Sequence, residues 1–258
     1  MTSQAQVVAS EWIKLRTLRS NAVALALTVV GTVGVAVLLG ATVAAHWHEL
    51  DPQEARDYDV TNLSLSGWYL AQLVVGVVGA LAITSEHATG MIRATFGAVP
   101  RRRRVFVAKA TVIATGVLAV AAVCSVGAFY AGQFMLRNTH HGATLAQPGV
   151  ARAVFGAALY AAVIALLGLG LGFIIRNTAG AISALFGVLF VPPILAEAFP
   201  PSWHEAIQKY APLNAGSQIM NVHDQARALG PWSGLCVLAL YAAVVVGAAV
   251  LLVGVRDA

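Results

Sequence analysis

Charge is what this sequence has least of. Asp, Glu, Lys and Arg make up 10% of its 258 residues, while 59% are hydrophobic. A water-soluble domain carries about 25% charged residues, so a solvated globule is excluded and a bilayer is the natural solvent. Cysteine is nearly absent. Cys124 and Cys236 each lie inside an apolar run with no CxxC spacing, which leaves no disulfide framework and reads as two small packing residues. No GxxxxGK[ST] occurs, so the chain has no phosphate-cradling loop of its own. HExxH is missing too, since "HEAIQ" at His204–Gln208 lacks the second His, and there is no GxSxG elbow. The pairs His46/His48 and His140/His141 have no partner cluster, read as loop polarity, and give no metal site. No ionisable residue stands near the centre of a candidate span, which argues against an ion-driven relay and against an intramembrane hydrolase. The chain is not expected to be an enzyme.

What is present is length without charge. A helix needs about 20 apolar residues to cross some 30 Å of hydrocarbon. Six runs qualify, at about 21–45, 67–84, 105–136, 153–175, 179–199 and 232–255, in one transmembrane domain covering 1–258. They are apolar all round rather than alternating, so they are helices and not barrel strands. The first is too long for a signal-peptide core, despite "ATVAAH" at its end. The net charge of +5 forms no basic domain, so nucleic acid is not expected as a partner. The charges alternate by side instead. Lys14, Arg16 and Arg19 precede span 1. Glu49, Asp51, Glu54, Asp57 and Asp59 follow it against Arg56 alone. Arg93, Arg101, Arg102, Arg103, Arg104 and Lys109 follow span 2. The positive-inside bias then places both termini in the cytoplasm, with Arg137 and Arg152 as exceptions on the outer side.

Three segments between the spans carry further pattern. "VVASEWIKLRTLRS" puts Val8, Trp12 and Leu15 at helical spacing, and Trp12 beside Lys14 and Arg16 suits a helix in the headgroup layer. "SEHATGMIRATFGAVPRRRR" joins spans 2 and 3. In it Gly90 permits a bend, Met91, Ile92 and Phe96 can line one side of a short helix, and Pro100 ends it before the arginines. From Pro192 to Pro231 the chain is rich in proline. Pro192–Pro193 is expected to break span 5, "PSWHEAIQKY" reads as a short helix with a proline start, and "NAGSQIMNVHDQARAL" as another. Gln72, Gln133, Ser125 and Ser183 read as hydrogen-bond partners between spans. Gly168/Gly172 and Gly180/Ala184 read as small-residue packing faces.

Taken in order, "EWIKLRTLRS" before span 1, the Ser85–Ala110 loop, and "APLNAGSQIM" before "GPWSGLCVLALYAAVVV" and the terminal "RDA" resemble the ABC-2 type permeases. These are the membrane subunits of type V bacterial ABC exporters, here in the actinobacterial style. The resemblance covers nearly the whole chain. It implies an all-α integral membrane protein with six transmembrane helices and an N-terminal interfacial helix. It also implies a cytoplasmic coupling helix between spans 2 and 3 and short external helices between spans 5 and 6. It further implies a pair of permeases, identical or related, working with two copies of a separate ATPase that binds the ATP and Mg. The chain itself would hold no cofactor. The cargo would be a drug, antibiotic, lipid or peptide moved outward across the bacterial cytoplasmic membrane. Within that frame Glu86, Gly90, Met91, Ile92, Arg93 and Phe96 would couple to the ATPase. Trp12, Lys14, Arg16 and Arg101–Arg104 would sit at the membrane interface, and Glu197, Trp203 and Asn214 in the external cap. A non-transporting membrane anchor or sensor, and an ion-coupled carrier, are the rival readings.

Overall fold

A computed structural model describes residues 4–17, 19–47, 51, 53, 58–91, 102–139, 142–223, 225 and 227–255. The described residues are mainly helical, with no strand among them. In chain order the helices are α1 Gln4–Thr17, α2 Arg19–Ala45, α3 Val60–Leu65, α4 Trp68–Ala88 and α5 Arg102–Leu136. They continue with α6 Val150–Ile175, α7 Thr178–Ala196, α8 Pro201–Tyr210, α9 Pro212–Ser217 and α10 Pro231–Val255. Six stretches among the described residues are long and apolar enough to cross a membrane. They belong to α2, to α3 with α4, and to α5, α6, α7 and α10, and all six match the apolar runs of the sequence. Helix α3 is an addition: it leads into α4 after Ser66 and Gly67.

The bundle is organised around α6. About 72% of its most apolar window is buried in the protein, against 22% for α2, α7 and α10. Lipid tails are as apolar as Leu, so spans associate through close packing and hydrogen bonds rather than through exclusion of water. The glycines supply that packing. A Cβ on Gly168 of α6 would lie 2.1 Å from the Gly76 carbonyl oxygen of α4, and one on Gly79 of α4 would lie 2.0 Å from the Ala165 carbonyl oxygen of α6. Gly172 meets Ala80 in the same way. The Gly168/Gly172 face is therefore used within the chain, between spans 2 and 4.

Hydrogen bonds follow the same interfaces. The Tyr160 hydroxyl of α6 donates to Gln72 Oε1 of α4. The Trp68 indole donates to Ser125 Oγ of α5 at 2.9 Å. Gln133 Nε2 donates to Ser64 Oγ of α3 at 3.1 Å, and its oxygen accepts the Ala143 amide at 2.7 Å. Gln72, Ser125 and Gln133 thus join elements to one another, as expected of them. Arg137 and Arg152, the two exceptions to the charge pattern, have local partners. Arg137 lies over the Phe134 ring at 4.2 Å. Arg152 donates to the carbonyls of Ile219 at 3.3 Å and Asn221 at 3.0 Å.

Two expectations for the proline-rich segment need correction. Pro192 and Pro193 do not break span 5: α7 runs through both to Ala196. Proline removes the donors that would bond the carbonyls four residues back, but here the lost bonds fall in the last turns. Those turns are capped from outside. Gln208 Nε2 donates to the Pro193 carbonyl at 3.2 Å, and a ring nitrogen of His204 lies 3.1 Å from the Ala196 carbonyl. Second, "NAGSQIMNVHDQARAL" is not one helix. Helix α9 begins at Pro212, a 3-10 turn covers Gln218–Met220, and the chain is then non-helical to Gly230 wherever it is described. Helix α8 takes the expected bounds, with Pro201 at its first turn. These elements, with α3, form the cap end of the bundle; α1 lies at the other end.

Candidate coupling site

At the α1 end, three elements bring four charges together. Glu11 and Lys14 lie three residues apart and so share one face of α1. Glu86 stands in the last turn of α4, and Lys109 in the second turn of α5. Lys14 Nζ lies 2.7 Å from Glu11 Oε1 and 2.9 Å from Glu86 Oε1. Lys109 Nζ lies 2.5 Å from Glu11 Oε2 and 3.0 Å from Glu86 Oε1. Two carboxylates and two ammonium groups cancel. Glu11, Glu86 and Lys109 are buried, and Lys14 closes the open side at 30% exposure. Among the described residues Glu86 Oε2 has no hydrogen-bond partner.

The electrostatics lock this arrangement. Burial pushes the Glu11 carboxyl up, but the charge and hydrogen bond of Lys109, joined by Lys14, outweigh it and hold the group below its ordinary value. Burial likewise works against the Lys14 ammonium, and its hydrogen bonds to Glu11 and Glu86 outweigh that, leaving it above its ordinary value. Breaking one buried pair leaves an uncompensated charge, worth about 3–5 kcal/mol. Apolar packing of Val7 against Val105 and Ala108 continues the contact between α1 and α5.

The face of α1 that meets the bundle is therefore Val7–Glu11–Lys14. It stands one position away from the Val8–Trp12–Leu15 stripe of the sequence. Trp12 is 41% exposed and Ile13 61%, so these two side chains point away from the bundle. The segment is helical rather than an irregular basic tail. Arg103 and Arg104 are exposed at the start of α5, where the positive end of the helix dipole disfavours cations by about 0.3–1 kcal/mol. Helix stability does not account for them. An anionic surface would favour them, at roughly 1 kcal/mol per cation. The side chains of Arg16 and Arg102, and all of Arg101, lie outside the described residues.

Beyond Glu86, α4 ends in a left-handed turn. Gly90 takes φ 71°, and its amide donates to the His87 carbonyl at 3.2 Å. Glycine is the residue that tolerates this conformation. Met91 follows and is 46% exposed. Ile92, Arg93 and Phe96 lie outside the described residues, so the bend is placed and the short helix beyond it is not. Glu86 faces α1 and α5 rather than a partner surface. Sequence reasoning missed Glu11 and the pairing with Lys109. The available signal was complementary charge at the ends of segments that all belong to one side.

At the cap end, Glu197 closes α7 and accepts Gln208 Nε2 at 3.2 Å. Trp203 is exposed and stacks on Phe199 with centroids 6.3 Å apart. Asn214 Nδ2 donates to the Gln208 carbonyl at 3.1 Å. The three expected cap residues thus share one end of the bundle. Among the described residues no group of three His, Cys, Asp or Glu side chains is placed to hold a metal.

The family model described as "ABC-2 family transporter protein" matches residues 7–192. The match takes in α1, the four-charge cluster and spans 1 to 4, and ends within span 5. No curated protein matches the chain. A match over more than half of the sequence, on a bundle with six helices fit to span a membrane, makes this chain a member of the ABC-2 transporter family, a multi-pass membrane protein of the permease type that partners an ABC ATPase.

Proposed function

We propose that the chain is the membrane-spanning half of an ATP-driven exporter in a bacterial cytoplasmic membrane, with both termini inside. The α1 end then faces the cytoplasm and the cap end the exterior. Two such permeases, identical or related, form the pathway, and two separate ATPase subunits hold the ATP and Mg. An apolar or amphipathic cargo fits a bundle without ionisable groups at mid-span. The single observation that carries the reading is the cluster of Glu11, Lys14, Glu86 and Lys109.

The cluster fastens three elements that leave the membrane at one point. Glu86 and Lys109 sit on either side of the 90–101 loop, and Glu11 and Lys14 tie α1 to both. A force applied to the loop from below is then shared by α1, span 2 and span 3 instead of bending one of them. The apolar side chains Met91, Ile92 and Phe96 supply the contact with the ATPase. Glu86 works behind that contact by fixing the end of span 2.

Affinity purification from native membrane tests the reading. A nucleotide-binding subunit should come with the wild-type chain. Ile92→Asp combined with Phe96→Asp should insert normally yet lose that subunit, because a desolvated, unpaired charge costs several kcal/mol. Full recovery of the ATPase and of transport with both substitutions would reduce the loop to a topology signal.

A further inference from the structure

A cavity of about 530 Å³ opens at the cap end between α8, α9 and the turn near Gln225, with Tyr69 of α4 also lining it. That volume is within the range of small-molecule sites, about 300–1,000 Å³. One wall consists of side-chain amides that are bonded to one another in one sense. Asn62 Nδ2 donates to Asn221 Oδ1 at 2.5 Å, and Asn221 Nδ2 donates to Gln218 Oε1 at 2.9 Å. Gln218 Nε2 donates to the Asn214 carbonyl at 3.3 Å and to Gln225 Oε1 at 3.4 Å. Asn214 Nδ2 donates to both the backbone and the side-chain oxygen of Gln208. Gln208 Nε2 ends the chain on the Pro193 carbonyl and Glu197.

A carboxamide has two donor hydrogens and an oxygen with two lone pairs. Gln208, Asn214 and Gln218 use both hydrogens inside the wall. Among the described residues Gln208 Oε1 and Gln218 Oε1 accept one hydrogen bond each, and Asn214 Oδ1 accepts none. The wall therefore offers acceptors, and the chain behind them fixes their orientation. A matching ligand must donate several hydrogen bonds. An ammonium group would do so, but Arg227 and Glu205 of the lining pair with each other, and Lys209 then leaves these groups with a net positive charge that disfavours it. An anion would meet lone pairs, and Arg227 is already engaged with Glu205 at 2.9 Å. What remains is a neutral donor. The Tyr69 ring and Leu213 give its C–H surface apolar contact.

We propose that this cavity binds a neutral, polyhydroxylated group such as a sugar residue. Its placement on the outer side, where cargo leaves, rests on the transport reading above; the binding itself does not. The test uses the full chain in nanodiscs prepared with a polyoxyethylene detergent, so that no sugar headgroup is present. Maltose is the probe, followed by saturation-transfer NMR, with ethanolamine and methyl phosphate as controls. Maltose should saturate on the scale of a ~1 mM Kd, and neither control should bind. Ala228→Trp fills the cavity without replacing a residue of the amide chain, and Gln218→Leu removes one acceptor. Each should weaken maltose binding by about tenfold or more, roughly the 1.4 kcal/mol of one decade. Binding unchanged in Ala228→Trp, no saturation by about 100 mM, or preference for ethanolamine or methyl phosphate would overturn the proposal. Co-purification of the ATPase with Ala228→Trp is scored separately. Its loss in wild type would sink the transport reading while leaving the sugar result to stand or fall alone.

Discussion

Replacing Lys109 by Met should detach α1 from the bundle. The substitution keeps the length of the side chain and removes only the ammonium. Glu11 Oε2 then loses its partner at 2.5 Å and Glu86 Oε1 its partner at 3.0 Å. Among the described residues two buried carboxylates are left facing Lys14 alone, a net charge of −1 where the intact cluster sums to zero. Leaving a buried charge unpaired costs about 3–5 kcal/mol, or roughly two to four orders of magnitude in the docked-to-undocked ratio of α1. Hydrogen exchange of α1 amides in the purified complex reads that ratio directly. Exchange through undocking should accelerate by the same factor in Lys109→Met. The double variant Glu11→Gln with Lys109→Met restores neutrality, and Lys14 can still pair with Glu86. It should recover most of the lost protection. Unchanged exchange in the single variant, or equal loss in the single and the double, would refute the assignment of the cluster as the anchor of α1.

Three further outcomes follow from the same geometry. The α1 anchor should not respond to pH near neutrality. Glu11 lies below its ordinary 4.5, so its contribution is present above 4.5 and is lost only as pH falls through the lower folded value. Lys14 lies above its ordinary 10.5, so its contribution is present below 10.5 and is lost only as pH rises through the higher folded value; a midpoint between pH 6 and 8 in α1 protection would contradict both signs. Gly168→Ala brings a Cβ to 2.1 Å from the Gly76 carbonyl oxygen, and overpacking of this kind costs about 1–3 kcal/mol. Its Tm in detergent should fall, whereas Gly187→Ala, with open space around its Cβ position, should leave Tm unchanged. Asp59→Ala removes the acceptor for the Thr61 and Asn62 amides that cap α3, and for the Val222 amide at 2.7 Å. The cap costs about 1 kcal/mol and the bond to a charged group about 1.5–3, so the segment after Met220 should become protease-sensitive while the spans hold.

The spans were legible because the bilayer imposes one rule on every residue of a crossing helix, and that rule survives without knowledge of neighbours. The start of α8 was legible for a local reason, since Pro201 suits the first turn of a helix and little else. Pro192 and Pro193 misled because they fall in the last turns of α7, where the helix end is held by His204 and Gln208 of the next helix, which bond the Ala196 and Pro193 carbonyls. Helix α3 escaped notice because six residues carry too little periodicity. The four-charge cluster was least legible. Lys109 pairs with a carboxylate 98 positions away, and Lys14 with one 72 positions away. The individual charges were visible, but partners at such separations are set only by how α1, α4 and α5 pack.

The glycine contact between α4 and α6 also bears on the order in which the protein can be made. Gly79 presents bare backbone to Ala165, and the Gly76 carbonyl lies against Gly168. When α4 enters the membrane its partner face has not been synthesised, and about 90 residues must still be added. At 5–20 residues per second that wait is on the order of ten seconds. During it, spans 2 and 3 lack the helix against which they pack. Nascent chains stopped before residue 150 should therefore remain loosely associated and open to membrane quality control, and arrest past residue 175 should mark the point at which the first four spans become one unit.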